Sequence, residues 1–218
     1  FDENGNLLDA ITFDELIFQG EFVDLTDMIV FNRPINVTGD NAVLNNIAIK
    51  IAANDVFLSN FTLNADKEFA DNNGALIYAT GANIEISDVV ANYTAPSEAE
   101  AIAVYANAAE NFTLVNSEII YEATNPGTNH NYGLKVRDSS NVNIKDNVIT
   151  ADLPAADVDY NSGSTGIDMD LVLAVGIQGG SNINFTANVV NVYSDSAVGG
   201  YPTLDDILIN GVTNLLVN

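Results

Sequence analysis

The sequence contains no cysteine and no tryptophan, and six basic residues and one histidine stand against thirty acidic residues. Without cysteine the chain has neither disulfides nor thiolate ligands for a metal. Its formal net charge of −24 leaves it without the basic surface that nucleic acids and anionic lipids require, so we expect no nucleic-acid partner. The chain also lacks any apolar run of about 18 residues, so we expect no membrane insertion by this segment.

What the chain does contain is apolar material, since 47% of its residues are hydrophobic. That content is sufficient for a core, so a folded chain is expected despite the high charge. With 218 residues, one elongated domain and a monomer are the simplest expectation. The chain starts at Phe1-Asp2-Glu3 without a methionine or a signal peptide, which is typical of a segment of a longer protein.

A short unit recurs along the chain, consisting of Asn or Asp followed by alternating apolar residues, as in Asn141-Val142-Asn143-Ile144. The anchor residues of these units are Asp55, Asn83, Asn111, Asn141, Asn182 and Asn214, at spacings of 28, 28, 30, 41 and 32 residues. A repeat of this length predicts a solenoid. Asn and Asp tolerate the left-handed backbone of sharp corners, so we interpret the anchors as structural corners and not as ligands.

The spacing of apolar residues inside each unit identifies the kind of solenoid. Apolar residues stand seven and five positions before an anchor, such as Leu134/Val136 and Leu76/Tyr78, and again one and three positions after it. A spacing of two is that of a β-strand, and no unit has the spacing of a helix. The pattern predicts an all-β, single-stranded parallel β-helix of about six coils, with residues 1–27 as an N-terminal cap and residues 28–218 as the β-helix. The residues predicted to be buried in its core are Leu134, Val136, Ile144, Val175, Ile177, Ile183 and Phe185.

The segment from Arg33-Pro34-Ile35 to Ile47, together with the repeated Asn-Ile/Val units, resembles the right-handed, pectate-lyase-like β-helix superfamily. Within it, the sequence is most similar to the large adhesin-like surface proteins of methanogenic archaea, over nearly the whole chain. The resemblance implies a right-handed solenoid at the cell surface. Because lyases, hydrolases, phage tailspikes and adhesins share this scaffold, the resemblance leaves the function open.

The register of the strands places several polar side chains on one outward face. Those predicted to form a ligand-binding patch are Tyr105, Asn107, Lys135, Arg137 and Gln178. An aromatic ring, amides and two cations are suited to a sugar, and to an acidic sugar in particular. The alternative is that these are solvated strand residues whose bases form weak surface ion pairs.

Catalysis is the second question that this scaffold raises. Hydrolysis of a glycoside needs two carboxylates at a defined separation, and the outward rows carry no acidic pair on neighbouring coils. We therefore expect a non-catalytic, extracellular, adhesin-like segment that projects or binds a glycan or another cell-surface ligand. A carbohydrate-active enzyme (a polysaccharide lyase or hydrolase) and a purely structural stalk are the alternatives.

Two further sites are predicted from local sequence. Alternating oxygen-bearing residues in the longest insertion, namely Asp157, Asp159, Asn161, Asp168 and Asp170, are similar to a calcium-binding loop, with a solvated acidic loop as the alternative. Calcium is the one ion that the sequence suggests, and no other cofactor is expected. Asn92, in an Asn-Tyr-Thr triplet beside an insertion, is the predicted glycosylation site.

Overall fold

The fold is described from a computed structural model, in residues 1–8, 12–23, 26–95, 100–123, 131–153, 172–194 and 204–218. These residues are almost entirely β-structure, with one short 3₁₀ turn at Ala70–Asn72. The strands are β1 (Glu15–Val23), β2 (Met28–Phe31), β3 (Ile35–Asn45), β4 (Ala48–Ile51), β5 (Val56–Ala65), β6 (Ala75–Ala79), β7 (Ala82–Ser87), β8 (Val90–Ala95), β9 (Ile102–Asn107), β10 (Glu110–Val115), β11 (Glu118–Ala123), β12 (Asn131–Arg137), β13 (Ser140–Lys145), β14 (Val148–Leu153), β15 (Val172–Gln178), β16 (Ser181–Thr186), β17 (Val189–Ser194), β18 (Leu204–Asn210) and β19 (Thr213–Val217).

The strands form two parallel sheets. Sheet A stacks seven strands in the order β18-β15-β12-β9-β6-β4-β2, and sheet B contains the other twelve. In sheet B, the first half of β5 pairs with β7 and its second half pairs with β8, on either side of Asn60. Sheet B is therefore folded into two faces, and sheet A supplies the third face. The chain winds through the three in turn, which confirms the predicted parallel β-helix.

The corners of the coils have the predicted chemistry. All six anchor residues adopt the left-handed backbone conformation, with φ between 53° and 57° at Asp55, Asn83, Asn111, Asn141, Asn182 and Asn214. The second corner, five residues later, is left-handed as well, at Asn60, Asp88, Asn116, Asp146 and Ala187. Asn and Asp are the non-glycine residues that adopt this conformation most readily, so their recurrence sets where each coil turns.

Side-chain amides connect the anchors of successive coils. The Nδ2 of Asn83 donates to Asp55 at 2.8 Å, and that of Asn111 donates to Asn83 at 2.9 Å. Further along, Asn182 donates to Asn141 and Asn214 donates to Asn182, both at 3.0 Å. The anchors therefore form the predicted structural ladder in two runs, from Asp55 to Asn111 and from Asn141 to Asn214.

The predicted core residues are buried in one continuous cluster. Phe185 is 4% exposed, and the other six are fully buried, namely Leu134, Val136, Ile144, Val175, Ile177 and Ile183. Their stacking follows the strand register, in which Ile144 lies between Leu114 and Phe185 of the adjacent coils. The apolar residues that recur at a spacing of two thus form the interior of the solenoid.

One register assignment was wrong. The expectation that Leu76/Tyr78 point inward fails for Tyr78, which pairs with outward-facing Tyr105, while Ile77 pairs with the core residue Val104. The cause is a corner that is one residue shorter: three residues separate Ala79 from Asn83, whereas four separate Ala106, its partner on β9, from Asn111. Tyr78 therefore joins the outward row, and Ile77 takes the inward place.

At the N-terminal end, β1 pairs in parallel with β3, and Asn6 forms a bridge with Val30. The ring of Phe18 packs against those of Phe1 and Phe61, with centroids at 6.1 Å and 5.5 Å. The assignment of residues 1–27 to a separate cap stays a prediction. Across the described ranges, no helix is long and apolar enough to span a membrane.

Candidate functional site

The outer surface of sheet A presents two rows of side chains set by the strand register. The first row has one residue on each of six successive strands, namely Lys50, Tyr78, Tyr105, Lys135, Gly176 and Leu208. The second row has one residue on each of four successive strands, namely Asn107, Arg137, Gln178 and Asn210. Since parallel stacking keeps like positions in line, residues about thirty positions apart in sequence become neighbours.

A cavity of about 350 Å³ lies over these rows at strands β9 and β12. Its floor is formed by outward side chains of the sheet, and its walls come from the connection before β6 and from Glu100, two residues before β9. The lining residues are Glu68, Phe69, Ala70, Asn73, Gly74, Glu100, Tyr105, Asn107, Lys135 and Arg137. These wall residues lie in the connections between β5 and β6 and between β8 and β9.

Lys135 is the most enclosed charge in the cavity, with 6% of its surface exposed. Its Nζ lies 4.5 Å from the centroid of the Tyr132 ring and 5.1 Å from that of Tyr105. Both rings attract the ammonium through their π-electrons. The carboxylate of Glu100 forms an ion pair with the same ammonium, and 46% of the Glu100 side chain remains exposed.

Gly176 makes room for this arrangement on the neighbouring strand. A Cβ atom at Gly176 would lie 2.5 Å from Cε1 of Tyr132, which is closer than carbon atoms approach without a shift. The absence of a side chain therefore lets the Tyr132 ring lie against β15 and cover Lys135. This glycine stands in the outward row directly beside Lys135.

Tyr105 links the aromatic and the cationic parts of the cavity. Its ring packs against Tyr78 with a centroid distance of 5.2 Å, and Asn107 donates to the Tyr78 hydroxyl at 3.0 Å. Burial raises the pKa of Tyr105, and the hydrogen bond from Arg137 opposes that rise. Tyr105 is therefore a neutral phenol at physiological pH, with its hydroxyl directed towards Arg137.

Arg137 is the exposed cation of the site. Its side chain is 54% exposed, and its Nε lies 3.4 Å from Asp138. An ion pair this open is weak, so the guanidinium can exchange Asp138 for another acceptor at little cost in free energy. One cation of the cavity is thus buried and paired, and the other is accessible.

Four of the five residues predicted for the patch line this cavity, namely Tyr105, Asn107, Lys135 and Arg137. Gln178 lies next to Arg137 on β15 and is half-buried, but it does not line the cavity. That the patch binds a ligand stays a prediction. Sequence reasoning missed Glu100, which lies outside the strands, where the register predicts no position. It also missed Tyr132, whose place against Lys135 depends on Gly176 of the next coil.

The cavity also contains carboxylates, and these do not belong to the two rows of outward side chains on sheet A. Glu68 and Glu100 both line it, and both come from connections between strands. Within the described part of the chain, no group of three or more His, Asp or Glu side chains is arranged to hold a metal ion. The predicted calcium residues Asp157, Asp159, Asn161, Asp168 and Asp170 lie outside the described residues, so calcium binding stays a prediction.

Asn92, the predicted glycosylation site, lies on β8 and is half-buried. Its Nδ2 donates to Asn64 at 2.8 Å, and Asn64 donates in turn to Asn45 at 2.9 Å. A glycan on Asn92 would replace a hydrogen on this same nitrogen. Glycosylation stays a prediction, and comparison of the intact mass of the natively expressed protein with that of its Asn92→Gln variant would test it.

No family model matches the sequence, and a search of the curated proteins found no match. Among solved structures, the chain is similar to a double mutant of the periplasmic alginate epimerase AlgG, at 14% sequence identity and a TM-score of 0.31. The similarity covers 85% of this chain and 47% of that one, so the chain spans about half the length of that protein. A similarity at this level decides nothing about the function of the chain.

Proposed function

We propose that this chain is a non-catalytic segment of an adhesin-like extracellular surface protein, and that it binds a glycan in the cavity over sheet A. The observation that supports the proposal is the convergence of Tyr105, Asn107, Lys135 and Arg137 on one cavity. The archaeal adhesin-like proteins that the sequence resembles suggest the same setting.

The chemistry of these side chains suits a sugar. Aromatic rings offer an apolar face to the C–H groups of a pyranose, and amides and guanidinium groups donate to its hydroxyls. Arg137 can bind a carboxylate or sulfate substituent through two parallel hydrogen bonds. Glu68 and Glu100 balance the two cations of the cavity, so the exposed Arg137 is the group that favours an anionic substituent there.

A carbohydrate-active enzyme is the second candidate function, and one observation favours it. Glu68 and Glu100 line the cavity together, and paired carboxylates are what glycoside hydrolysis requires. Against it, the carboxylate of Glu100 is engaged in an ion pair with Lys135. A purely structural stalk is the third possibility.

A glycan array probed with the isolated segment separates the three functions, followed by mass spectrometry of the bound oligosaccharides. Binding that leaves the oligosaccharide intact supports the proposal, whereas shortened or unsaturated products would establish an enzyme. Absence of binding across the array would favour a stalk. The array is also probed with Lys145→Ala as a control for the loss of a lysine outside the cavity, since Lys145 is exposed on sheet B, on a different face from the cavity. This variant should bind like the unchanged segment.

A further inference from the structure

The burial of Lys135 requires an anion beside it. An ammonium group loses much of its hydration when it is buried, and aromatic rings replace that loss in part. Glu100 supplies the balancing negative charge, and its carboxylate is half-exposed at the entrance of the cavity. Glu100 therefore occupies the position at Lys135 that the anionic group of a ligand would otherwise take.

The backbone at Glu100 is held independently of this ion pair. The next residue, Ala101, donates its N–H to Oδ1 of the buried Asn131 at 3.1 Å, and Ile102 donates to the carbonyl of Gly74 at 3.0 Å. Gly74 has φ of +72°, and a Cβ atom there would lie 2.1 Å from the carbonyl oxygen of Glu100. The wall of the cavity is thus fixed in place by its main chain.

Because the main chain is fixed and the carboxylate is half-exposed, rotation of the Glu100 side chain alone is enough to free Lys135. Glutamate side chains move between staggered rotamers without displacement of the backbone. Once Glu100 has rotated away, the ammonium of Lys135 remains on the floor of the cavity, with Arg137 beside it in the next row. The two cations then face one oxyanion together.

We propose that Glu100 is an internal stand-in for the ligand's oxyanion, so that an anionic sugar binds by exchanging its own carboxylate or sulfate for that of Glu100. The inference rests on the proposed glycan-binding function and adds to it how the site is regulated. Lys135 is then paired with an anion both before and after the exchange, and competition from Glu100 lowers the affinity for the anionic ligand. Neutral sugars do not compete for Lys135, so Glu100 weakens the binding of anionic ligands and leaves that of neutral ones unchanged.

The test is the affinity of Glu100→Gln for three probes, namely glucuronate, glucose 6-sulfate and glucose, measured by titration calorimetry. We expect the variant to bind the two anionic probes about fivefold more tightly or better, since a half-exposed ion pair no longer competes. Glucose should bind both proteins equally. The two anionic probes distinguish a carboxylate ligand from a sulfate ligand.

The matched control is Glu68→Gln, which removes the same charge from the same cavity but leaves Glu100 on Lys135. Equal gains from Glu68→Gln and Glu100→Gln would show a general charge effect and would overturn the exchange. The double variant Glu100→Gln/Lys135→Met should lose the gain, and a gain that survives in it would also contradict the proposal. Melting temperatures of all variants verify that each protein is folded.

Failure of the exchange and failure of the proposed function are distinguishable. If a glycan from the array binds in this cavity while Glu100→Gln leaves the affinity for anionic probes unchanged, the exchange is wrong and glycan binding stands. If neither the array nor any probe gives binding to either protein, both are wrong.

Discussion

Replacement of Ile144 by alanine tests the core of the solenoid. Ile144 is fully buried on β13 and lies in register between Leu114 and Phe185 of the adjacent coils. Each buried methylene contributes about 0.8 kcal/mol by transfer from water, and the cavity that remains adds to the loss. Because both neighbours are held by their own strands, the site cannot collapse, and we expect Ile144→Ala to lower the free energy of unfolding by about 2–5 kcal/mol.

The assay is urea unfolding followed by circular dichroism, together with a thermal melt. For a chain of this size each kcal/mol corresponds to about 2–4 °C, so the melting temperature should fall by roughly 4–20 °C. The adjacent residue Lys145 points outward and serves as the control, since Lys145→Ala should change stability by no more than about 0.5 kcal/mol. An Ile144→Ala protein as stable as the Lys145→Ala protein would refute the assigned register.

Three further predictions concern the corners, the interior and the longest insertion. Because Asn182 has φ of 55°, Asn182→Ala should be about 1 kcal/mol less stable than Asn182→Gly in urea unfolding, and equal stability would contradict the role of the left-handed corner. The hydroxyl of Tyr121 is buried without a hydrogen-bond partner, and burial raises its pKa. Tyr121→Phe should therefore gain about 1 kcal/mol, whereas a loss would reveal a partner such as an internal water. Millimolar calcium, added to the chelator-treated protein, should release heat and raise the melting temperature if the predicted residues Asp157 to Asp170 bind it. The absence of both effects would favour the alternative of a solvated acidic loop.

Much of the fold was predictable because the residues that form the corners and the core recur at regular spacings along the sequence. An Asn such as Asn141 marks a left-handed corner, and alternating apolar residues mark strands that face the core, so the three faces follow from local rules. Stacking then places Tyr105 beside Lys135 and Asn107 beside Arg137 without any knowledge of the loops. The floor of the candidate site could therefore be predicted from the sequence.

The rest of the site depends on features that local rules do not determine. The corner before Asn83 is one residue shorter than the next one, which places Tyr78 on the outer face, and the residue types in that corner do not predict the shift. Glu100 reaches Lys135 from an insertion, and its position depends on Gly74 and Asn131, which are remote in sequence. Contacts between residues this far apart in sequence form only when the coils stack, so the local sequence does not predict them.

The most direct test of glycan binding in the cavity is titration calorimetry of an array-selected oligosaccharide against the wild-type chain and the Lys135→Ala/Arg137→Ala variant. We expect the double variant to lose at least about tenfold in affinity, because it removes both cations that face the ligand's oxyanion. The Lys145→Ala protein, which changes a lysine on another face, should bind like the wild type. An unchanged affinity in a folded double variant would contradict the assignment of this cavity as the binding site.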